Sequence, residues 1–313
     1  MQDFLYKITF GFFWVVSLMP LSVHYFFSDF LLYPLIYHLV GYRKKVVREN
    51  LKGSFPEKTE KELKDIERKF YHFFCDYFVE TIKLLSITPE TLAKHLEYRG
   101  VEEMEKCFDK GQTCAAILGH YCNWEYLSTV GVAFKRHPDA VMGLIYHPLY
   151  NKVFDRLFID IRQHLGGVCI PKKDILRYLV KYRRENRMSL FGYISDQGPK
   201  WNNIHLWLPF LNHDTPVFTN GEKIIRKMNN AVFYVDMERP ARGKYVVTFK
   251  LITLTPGELE ENAITRQFFA MLEETVRREP HLYLWSHNRW KRTHEEFDRL
   301  FKVVNGKVLP REE

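Results

Sequence analysis

His120 and Glu125, five positions apart in the stretch LGHYCNWEY (118–126), could form a catalytic pair. A carboxylate that accepts the imidazole N–H leaves the other ring nitrogen free to take a proton, and such a pair is a general base. Residues five apart on one continuous helix point about 140° away from each other, so the pair requires a turn. The alternative is that His120 caps the end of a strand and Glu125 is a solvated acid in the first turn of the following helix. The two residues alone leave both interpretations open.

The segments on either side of the pair predict such a turn. The preceding TCAAIL (113–118) is short and apolar, which is typical of a buried strand, and the following WEYLSTVGVAFKR (124–136) has a helical pattern. Asn123 is a favourable N-cap residue, and it places Glu125 in the first helical turn, where the helix dipole favours a carboxylate. We therefore expect His120 at a strand-to-helix turn, with Glu125 able to fold back towards it.

A second set of polar residues follows another apolar run. MSLFGYI (188–194) predicts a strand, and Asp196 and Gln197 come directly after it in SDQG. Ligands gather at the carboxyl ends of strands in open α/β sheets, so His120 and Asp196 are expected to converge on one crevice. A plain Asp-Gln-Gly turn is the alternative interpretation.

The rest of the chain alternates apolar runs with helical patterns, which predicts an α/β fold with a mixed central sheet flanked by helices. The chain has 313 residues, 46% of them hydrophobic, which is enough for one large domain over residues 41–313. An aromatic stripe on the helix predicted for 57–83 faces either the core or a membrane, and core packing is the usual reason for such a stripe. The other predicted helices cover 124–136, 150–164, 172–184 and 257–278, and the predicted strands cover 113–118, 140–146, 167–171, 188–194, 230–238 and 245–254.

Residues 1–40 are predicted to anchor the protein in a membrane. The run 8–28 holds 21 residues without Asp, Glu, Lys or Arg, and a second apolar run, 30–42, follows Asp29. The run is too long for a signal peptide and lacks its cleavage site. A hydrophobic helix and a helical hairpin within one leaflet both remain open. Basic residues come next and predict that the following domain faces the cytoplasm: Arg43, Lys44, Lys45, Arg48 and Lys52.

The charge of the chain predicts an acidic partner. Lys and Arg number 46 against 38 Asp and Glu, a formal charge of +8. The helix predicted for 172–184 presents Lys173, Arg177, Lys181 and Arg184 on one face, with Ile175, Leu176, Leu179 and Val180 on the other. The basic face is either a solvated surface or a dock for an acidic partner or lipid headgroups. Weak aromatic interleaving argues against nucleic acid.

The cysteines argue against a disulfide framework and against a metal site. The chain has five cysteines, an odd number; they are scattered along the sequence, and no two form a C-x-x-C motif. This usage indicates a reducing compartment and free thiols.

Four motifs, taken in order, resemble one known family. GHYCNWE, SDQG, LWLPFLNHDTPVFTNGEKIIRKMNNAVFYV and LYLWSHNRWKR are similar to segments of the late lipid A acyltransferases, the lauroyl and myristoyl transferases of the lysophospholipid acyltransferase superfamily. The resemblance covers nearly the whole chain, including the hydrophobic N-terminus. It implies a glycerolipid acyltransferase-like fold at the cytoplasmic face of the inner membrane.

The resemblance also implies roles for the paired residues. The family signature, a histidine, four residues and an acid, falls on His120 and Glu125, and Asn123 and Trp124 match its frequent NWE ending. His120 is then the general base that deprotonates an acceptor hydroxyl, and Glu125 orients the His120 imidazole. Asn123 belongs to the substrate-binding residues. The hydroxyl attacks an acyl thioester directly, so Cys122 is not a nucleophile.

Three further residues take substrate-binding roles by the same resemblance. Arg162 matches a family arginine that holds a phosphate or the developing oxyanion, a role suited to a guanidinium. Asp196 and Gln197 shape the acceptor side. This sequence reads YHPLYN, with His147, where the family often has Arg-Pro, so one expected phosphate contact is lost or replaced.

The substrates follow from the family as expectations. The donor is an acyl carrier protein thioester, whose acidic carrier suits the basic helix, or an acyl-CoA, and no other cofactor or metal is needed. The acceptor is a hydroxyl of a lipid A precursor; a lysophospholipid, an amino lipid or a glycolipid is the alternative. A catalytically idle lipid-binding protein is a third hypothesis, against which the intact pair counts.

Overall fold

The computed structural model describes residues 2–304 and 306–311. Met1, the first residue of the predicted anchor 1–40, and residues 312–313, the last of the predicted domain 41–313, therefore lie outside the described residues. The helices are α1 (Gln2–Leu18), α2 (Leu21–Phe27), α3 (Lys44–Ser54), α4 (Glu60–Lys83), α5 (Pro89–Leu92), α6 (Val101–Asp109), α7 (Lys152–Gln163), α8 (Ile175–Arg184), α9 (Asn220–Met228), α10 (Ala263–Arg278) and α11 (His294–Leu300). The strands are β1 (Leu96–Arg99), β2 (Cys114–Leu118), β3 (Val141–Tyr146), β4 (Gly167–Pro171), β5 (Ser189–Ile194), β6 (Trp207–Phe210), β7 (His213–Pro216), β8 (Ala231–Ala241), β9 (Lys244–Thr253), β10 (Phe301–Val304) and β11 (Lys307–Pro310).

A seven-stranded sheet in the order β1-β9-β8-β2-β5-β3-β4 forms the centre of the fold. Neighbouring strands run parallel except β8 and β9, which pair antiparallel. The sheet is therefore mixed, as the sequence predicts. Every residue of β2 is buried, which agrees with its unbroken apolar run. The strand β1 and the hairpins β6–β7 and β10–β11 were not predicted, because their four-residue runs are too short to show a period.

The aromatic stripe belongs to α4 and faces the core. A capping box at Thr59 and Glu62 begins the helix three residues later than predicted. The stripe residues Leu63, Ile66, Phe70, Phe73 and Phe74 are buried, and Phe78 is half-buried. Core packing, the usual reason for such a stripe, is confirmed.

The N-terminal segment forms two helical arms. The second arm continues from α2 through π-helical turns at Ser28–Leu32 and Pro34–Leu39. Within the described residues, no single helix has the length and apolar composition to cross a membrane, whereas the two arms together meet both criteria as a pair bent by 113°.

Polar contacts fix these arms to α4. The Tyr25 hydroxyl donates to Glu80 Oε1 at 2.8 Å, and the Ser28 hydroxyl donates to Asp76 Oδ1 at 2.8 Å. The Lys83 ammonium donates to the Ser17 carbonyl at 2.7 Å, near the end of α1. The arms therefore have a polar inner side, while large apolar side chains of both arms are exposed.

The basic helix is α8, and its apolar side is narrower than predicted. Ile175 and Leu179 are buried, but Leu176 and Val180 are 43% and 39% exposed. Only half of the predicted apolar face therefore packs against the protein, together with the buried Tyr182. The exposed face thus combines two aliphatic side chains with the predicted cations.

Candidate active site

Two neighbouring strands bring the predicted polar residues together. β2 and β5 are parallel, with Leu118 opposite Ile194, and the Ser195 amide donates to the Leu118 carbonyl at 3.0 Å. His120 lies two residues beyond β2 and Asp196 two residues beyond β5. The predicted convergence of His120 and Asp196 at the carboxyl edge of the sheet is confirmed.

The imidazole of His120 is held by Asp196. The distance from His120 Nδ1 to Asp196 Oδ1 is 2.7 Å, and the Asp196 side chain is only 3% exposed. Burial alone raises the pKa of Asp196, but the charge and hydrogen bonds of His120 outweigh it, so the pKa lies below its usual range. An ionised Asp196 accepts the Nδ1–H and leaves Nε2 as the proton acceptor. Gln197 Nε2 lies 3.3 Å from that nitrogen.

Glu125 has a different partner from the one expected. Its carboxylate accepts two hydrogen bonds from Arg162, from Nε and Nη2, each at 2.7 Å, and a third from the Tyr77 hydroxyl at 3.2 Å. Burial raises the pKa of Glu125, but the Arg162 charge overcomes this and lowers it. The expected hydrogen bond from His120 to Glu125 is absent from the described contacts, because Asp196 occupies Nδ1.

The helix after the turn also differs from expectation. Residues Trp124–Ala133 form 3-10 turns instead of an α-helix reaching 136, although Glu125 does lie in the first turn. Asn123 stands at the N-cap position without making a capping hydrogen bond. It is fully buried, and its Nδ2 donates to Glu80 Oε2 at 2.9 Å. Asn123 thus holds the loop against α4 and is not among the residues that line the cleft, contrary to its predicted place in the substrate-binding set.

Backbone contacts clamp the loop that carries His120. The Cys122 amide donates to the Leu282 carbonyl at 2.8 Å, and the Leu284 amide donates to the His120 carbonyl at 3.1 Å. Cys122 has a φ of 56°, in the left-handed region, and is fully buried. Burial raises the pKa of its thiol, so no reactive thiolate forms there.

Gly119 leaves room for the His120–Asp196 contact. A Cβ at this position would lie 2.8 Å from Leu272 Cδ1 and 3.5 Å from Asp196 Cγ. A larger residue therefore requires the Leu272 side chain to move, while its Cβ comes only into van der Waals contact with Asp196.

Arg289, in the closing motif, is a site residue to which the sequence assigned no role. It is buried, donates from Nη2 to the Pro216 carbonyl at 2.7 Å, and its charge helps to lower the pKa of Asp196. Burial lowers the pKa of Arg289 itself. The only sequence signal was its place in WSHNRWKR, whose contacts with the SDQG turn depend on the fold.

His120 lies in the wall of a cleft of about 650 Å³. Its walls are mainly apolar, and Glu125, Arg162 and Gln197 also line it. Tyr77 and Lys172 are lining residues that the sequence analysis missed, since neither lies near a motif. Leu149, Phe158 and His147 also line the cleft. Among the described residues, no group of three or more His, Cys, Asp or Glu side chains is arranged to hold a metal ion.

Sequence comparisons identify relatives that act in lipid A biosynthesis. The lauroyltransferase of lipid A biosynthesis from Escherichia coli (strain K12) is 22% identical over 276 residues, 83% of this chain and 86% of the relative. The palmitoleoyltransferase of lipid A biosynthesis from the same strain is 20% identical over 256 residues, 80% of this chain and 79% of the relative. Lipid A biosynthesis acyltransferase 2 of Shigella flexneri is 20% identical over 239 residues, 75% of this chain and 74% of the relative.

A family-wide match covers more of the chain than any of these relatives. The sequence model of the family described as bacterial lipid A biosynthesis acyltransferase matches residues 1–292. This match confirms the resemblance carried by the four motifs. The chain belongs to the bacterial lipid A biosynthesis acyltransferase family and is an acyltransferase.

Proposed function

We propose that this acyltransferase moves a fatty acyl chain from an acyl thioester to a hydroxyl of a lipid A precursor, with His120 as general base. The observation that carries the proposal is the 2.7 Å contact between His120 Nδ1 and Asp196 Oδ1, with His120 in the wall of the cleft. The relatives named above are lipid A biosynthesis enzymes, which supports this acceptor.

The chemistry follows from the position of the imidazole. The acceptor hydroxyl gives its proton to His120 Nε2 while its oxygen bonds to the thioester carbonyl carbon. The tetrahedral intermediate collapses, the C–S bond breaks, and the thiolate takes the proton back from the imidazolium. Asp196 holds the His120 imidazole in the tautomer with the proton on Nδ1, and its negative charge stabilises the imidazolium that forms transiently. Cys122 takes no part, since its thiol is buried and remains protonated.

Arg162 supplies positive charge to the cleft in this scheme. Glu125 binds its Nε and Nη2, while Nη1 makes no hydrogen bond among the described residues. Glu125 therefore positions Arg162, and Arg162 presents Nη1 to a substrate phosphate or to the developing oxyanion. Glu125 is thus proposed to position Arg162 and not, as the resemblance implied, to orient His120. Gln197 Nε2 lies 3.3 Å from His120 Nε2, so this amide is placed to contact the acceptor hydroxyl as well.

The exposed face of α8 suits an acyl carrier protein as the donor. Arg177 and Lys181 lie there beside the exposed Leu176 and Val180, and a basic surface with apolar spots fits an acidic partner. Arg177→Glu is expected to raise the KM for acyl carrier protein thioesters and to leave that for acyl-CoA unchanged. Equal effects on both donors contradict the docking role.

The helical arms support a site of action at the membrane. Their outer apolar side chains are exposed, and the following α3 begins with Lys44 and Lys45. We place the arms in the bilayer and the acyltransferase domain on the cytoplasmic face of the inner membrane. The bend of 113° favours entry into one leaflet over a straight span.

Mass spectrometry of total lipids tests the function in cells. Cells that lack the protein are complemented with the wild type or with His120→Ala. The proposal predicts lipid A lacking one acyl chain, restored by the wild type alone. Unchanged lipid A with an altered phospholipid, amino lipid or glycolipid refutes the acceptor but keeps the chemistry. No lipid change at all favours an idle lipid-binding protein.

A further inference from the structure

An exposed apolar rim borders the cleft on the side of α1. It consists of Leu149, Tyr150 and Phe154. Leu149 also lines the cleft and is 42% exposed, Phe154 is 42% exposed, and Tyr150 is fully exposed. Exposing large apolar side chains together is unfavourable in water, and such patches mark interaction sites.

The rim is held in place by its own hydrogen bonds. Asn151 Oδ1 accepts from the amides of Val153 at 3.0 Å and Phe154 at 3.3 Å, which caps α7. Asp155 Oδ1 accepts from the Leu149 amide at 2.6 Å. A capped and braced segment keeps Tyr150 pointing outward, so its exposure is a property of the fold.

The rim continues the apolar surface of α1. The rings of Phe154 and Phe13 lie 6.5 Å apart, edge to face. Arg156 on α7 donates to Asp3 at 2.9 Å and lies 3.8 Å above the Tyr6 ring, which fixes α1 against α7. The outer side of α1 exposes a row of large apolar residues: Phe4, Leu5, Ile8, Phe12 and Val15.

The same helix leads from the rim to the chemistry. Phe154, Phe158 and Arg162 are spaced four residues apart on α7 and therefore share one face. Phe158 lines the cleft, and Arg162 binds Glu125. Eight residues of helix span about 12 Å, so the path from the rim to Arg162 is shorter than an extended fatty acyl chain.

We propose that the rim is a bilayer contact through which a lipid substrate enters the cleft sideways from the leaflet. The occupant is a phospholipid bilayer surface, because the rim continues the apolar face of α1 and two exposed lysines are available for anionic headgroups: Lys152, two residues from Tyr150 in the chain, and Lys172, which lines the cleft. The inference rests on the proposed function only for the identity of the lipid that enters.

Membrane contact is tested with a nitroxide label, independently of catalysis. The label is placed by Tyr150→Cys in the full-length chain carrying Cys169→Ala, since Cys169 is the one cysteine of the five that is not buried. Leu254→Cys is the matched control, because Leu254 is 42% exposed and lies beyond β9 at the opposite edge of the sheet. Vesicles of phosphatidylethanolamine and phosphatidylglycerol are then added.

The expected result is that vesicles shield the label at 150 from a water-soluble nickel chelate and raise its collisions with oxygen, while the label at 254 does not change. A label at 150 that stays as accessible to nickel as the control overturns the proposal, and so does a failure to bind vesicles. Both results are independent of whether acyl transfer occurs.

A kinetic comparison separates membrane entry from other uses of the rim. Tyr150→Asn is expected to slow acylation of an acceptor embedded in vesicles about tenfold and to leave a detergent-dispersed acceptor unaffected, with Leu254→Asn as the control. An equal loss with both acceptors overturns the proposal and assigns the rim to direct substrate or protein contact. Absence of activity with either acceptor, with the label still shielded, counts against the proposed function alone.

Discussion

Replacing Asp196 by asparagine tests the pair that the structure places at the cleft. The substitution keeps the size of the side chain and removes its charge. We expect kcat to fall by about two to four orders of magnitude, with little change in KM. The reason is that Asp196 acts on the imidazole and not on the bound substrate.

The magnitude follows from the contacts of Asp196. Its carboxylate takes the His120 Nδ1–H at 2.7 Å and also interacts with the His120 backbone amide and the Tyr283 hydroxyl. An asparagine that keeps its oxygen towards those donors turns its NH2 group towards Nδ1. The imidazole proton then moves to Nε2, and the ring cannot accept the proton of the acceptor hydroxyl. Loss of the base function costs about the full factor attributed to general-base catalysis.

The assay is initial-rate kinetics of the purified protein with a lipid A precursor and an acyl thioester. Glu222→Gln is the matched control, since Glu222 is a buried carboxylate that accepts from Thr265, away from the cleft. Urea unfolding confirms that both variants are folded. An Asp196→Asn rate within about threefold of the wild type refutes the assigned role.

Three further predictions concern neighbouring groups. Glu125→Gln leaves the half-buried Arg162 without its charge partner and is expected to lower the free energy of unfolding by about 2 kcal/mol; an unchanged urea midpoint contradicts the pairing. Cys122→Ala is expected to keep the rate within about threefold, because no acyl-enzyme forms, and a loss equal to that of His120→Ala contradicts direct transfer. Burial lowers the pKa of His287 to about 4, below the unfolded value of about 6.5, so the unfolded state binds more protons in between and stability falls as the pH drops through this window. Between pH 7 and pH 5, the free energy of unfolding measured in urea should therefore fall by about 1 kcal/mol less for His287→Gln than for the wild type. An equal fall in both proteins contradicts this.

The convergence of His120 and Asp196 could be predicted because it needs only local patterns. Two apolar runs identify two buried strands, and parallel strands end at the same edge of a sheet. The partner of the imidazole could not be identified in this way. Glu125 is near in sequence, whereas Asp196 is 76 residues away and meets His120 only because β2 and β5 pair.

The N-terminal arms also combine a feature that local sequence predicts with contacts that it does not predict. Their apolar composition predicts a membrane-directed segment, because hydropathy is a local property. Their polar inner side depends on Tyr25 and Ser28 meeting Glu80 and Asp76 of α4, about fifty residues further along the chain. Such contacts leave no local pattern. The role given to Asn123 failed for the same reason, since its partner Glu80 lies on another helix.

The role of His120 as the base of an acyl transfer to a lipid A precursor can be measured with purified protein. Wild type and His120→Ala are incubated with the precursor and an acyl thioester, and the rate and mass of the acylated product are measured. We expect a product heavier by one acyl group, and a rate at least about two orders of magnitude lower for a folded His120→Ala. A folded His120→Ala within about threefold of the wild type contradicts it.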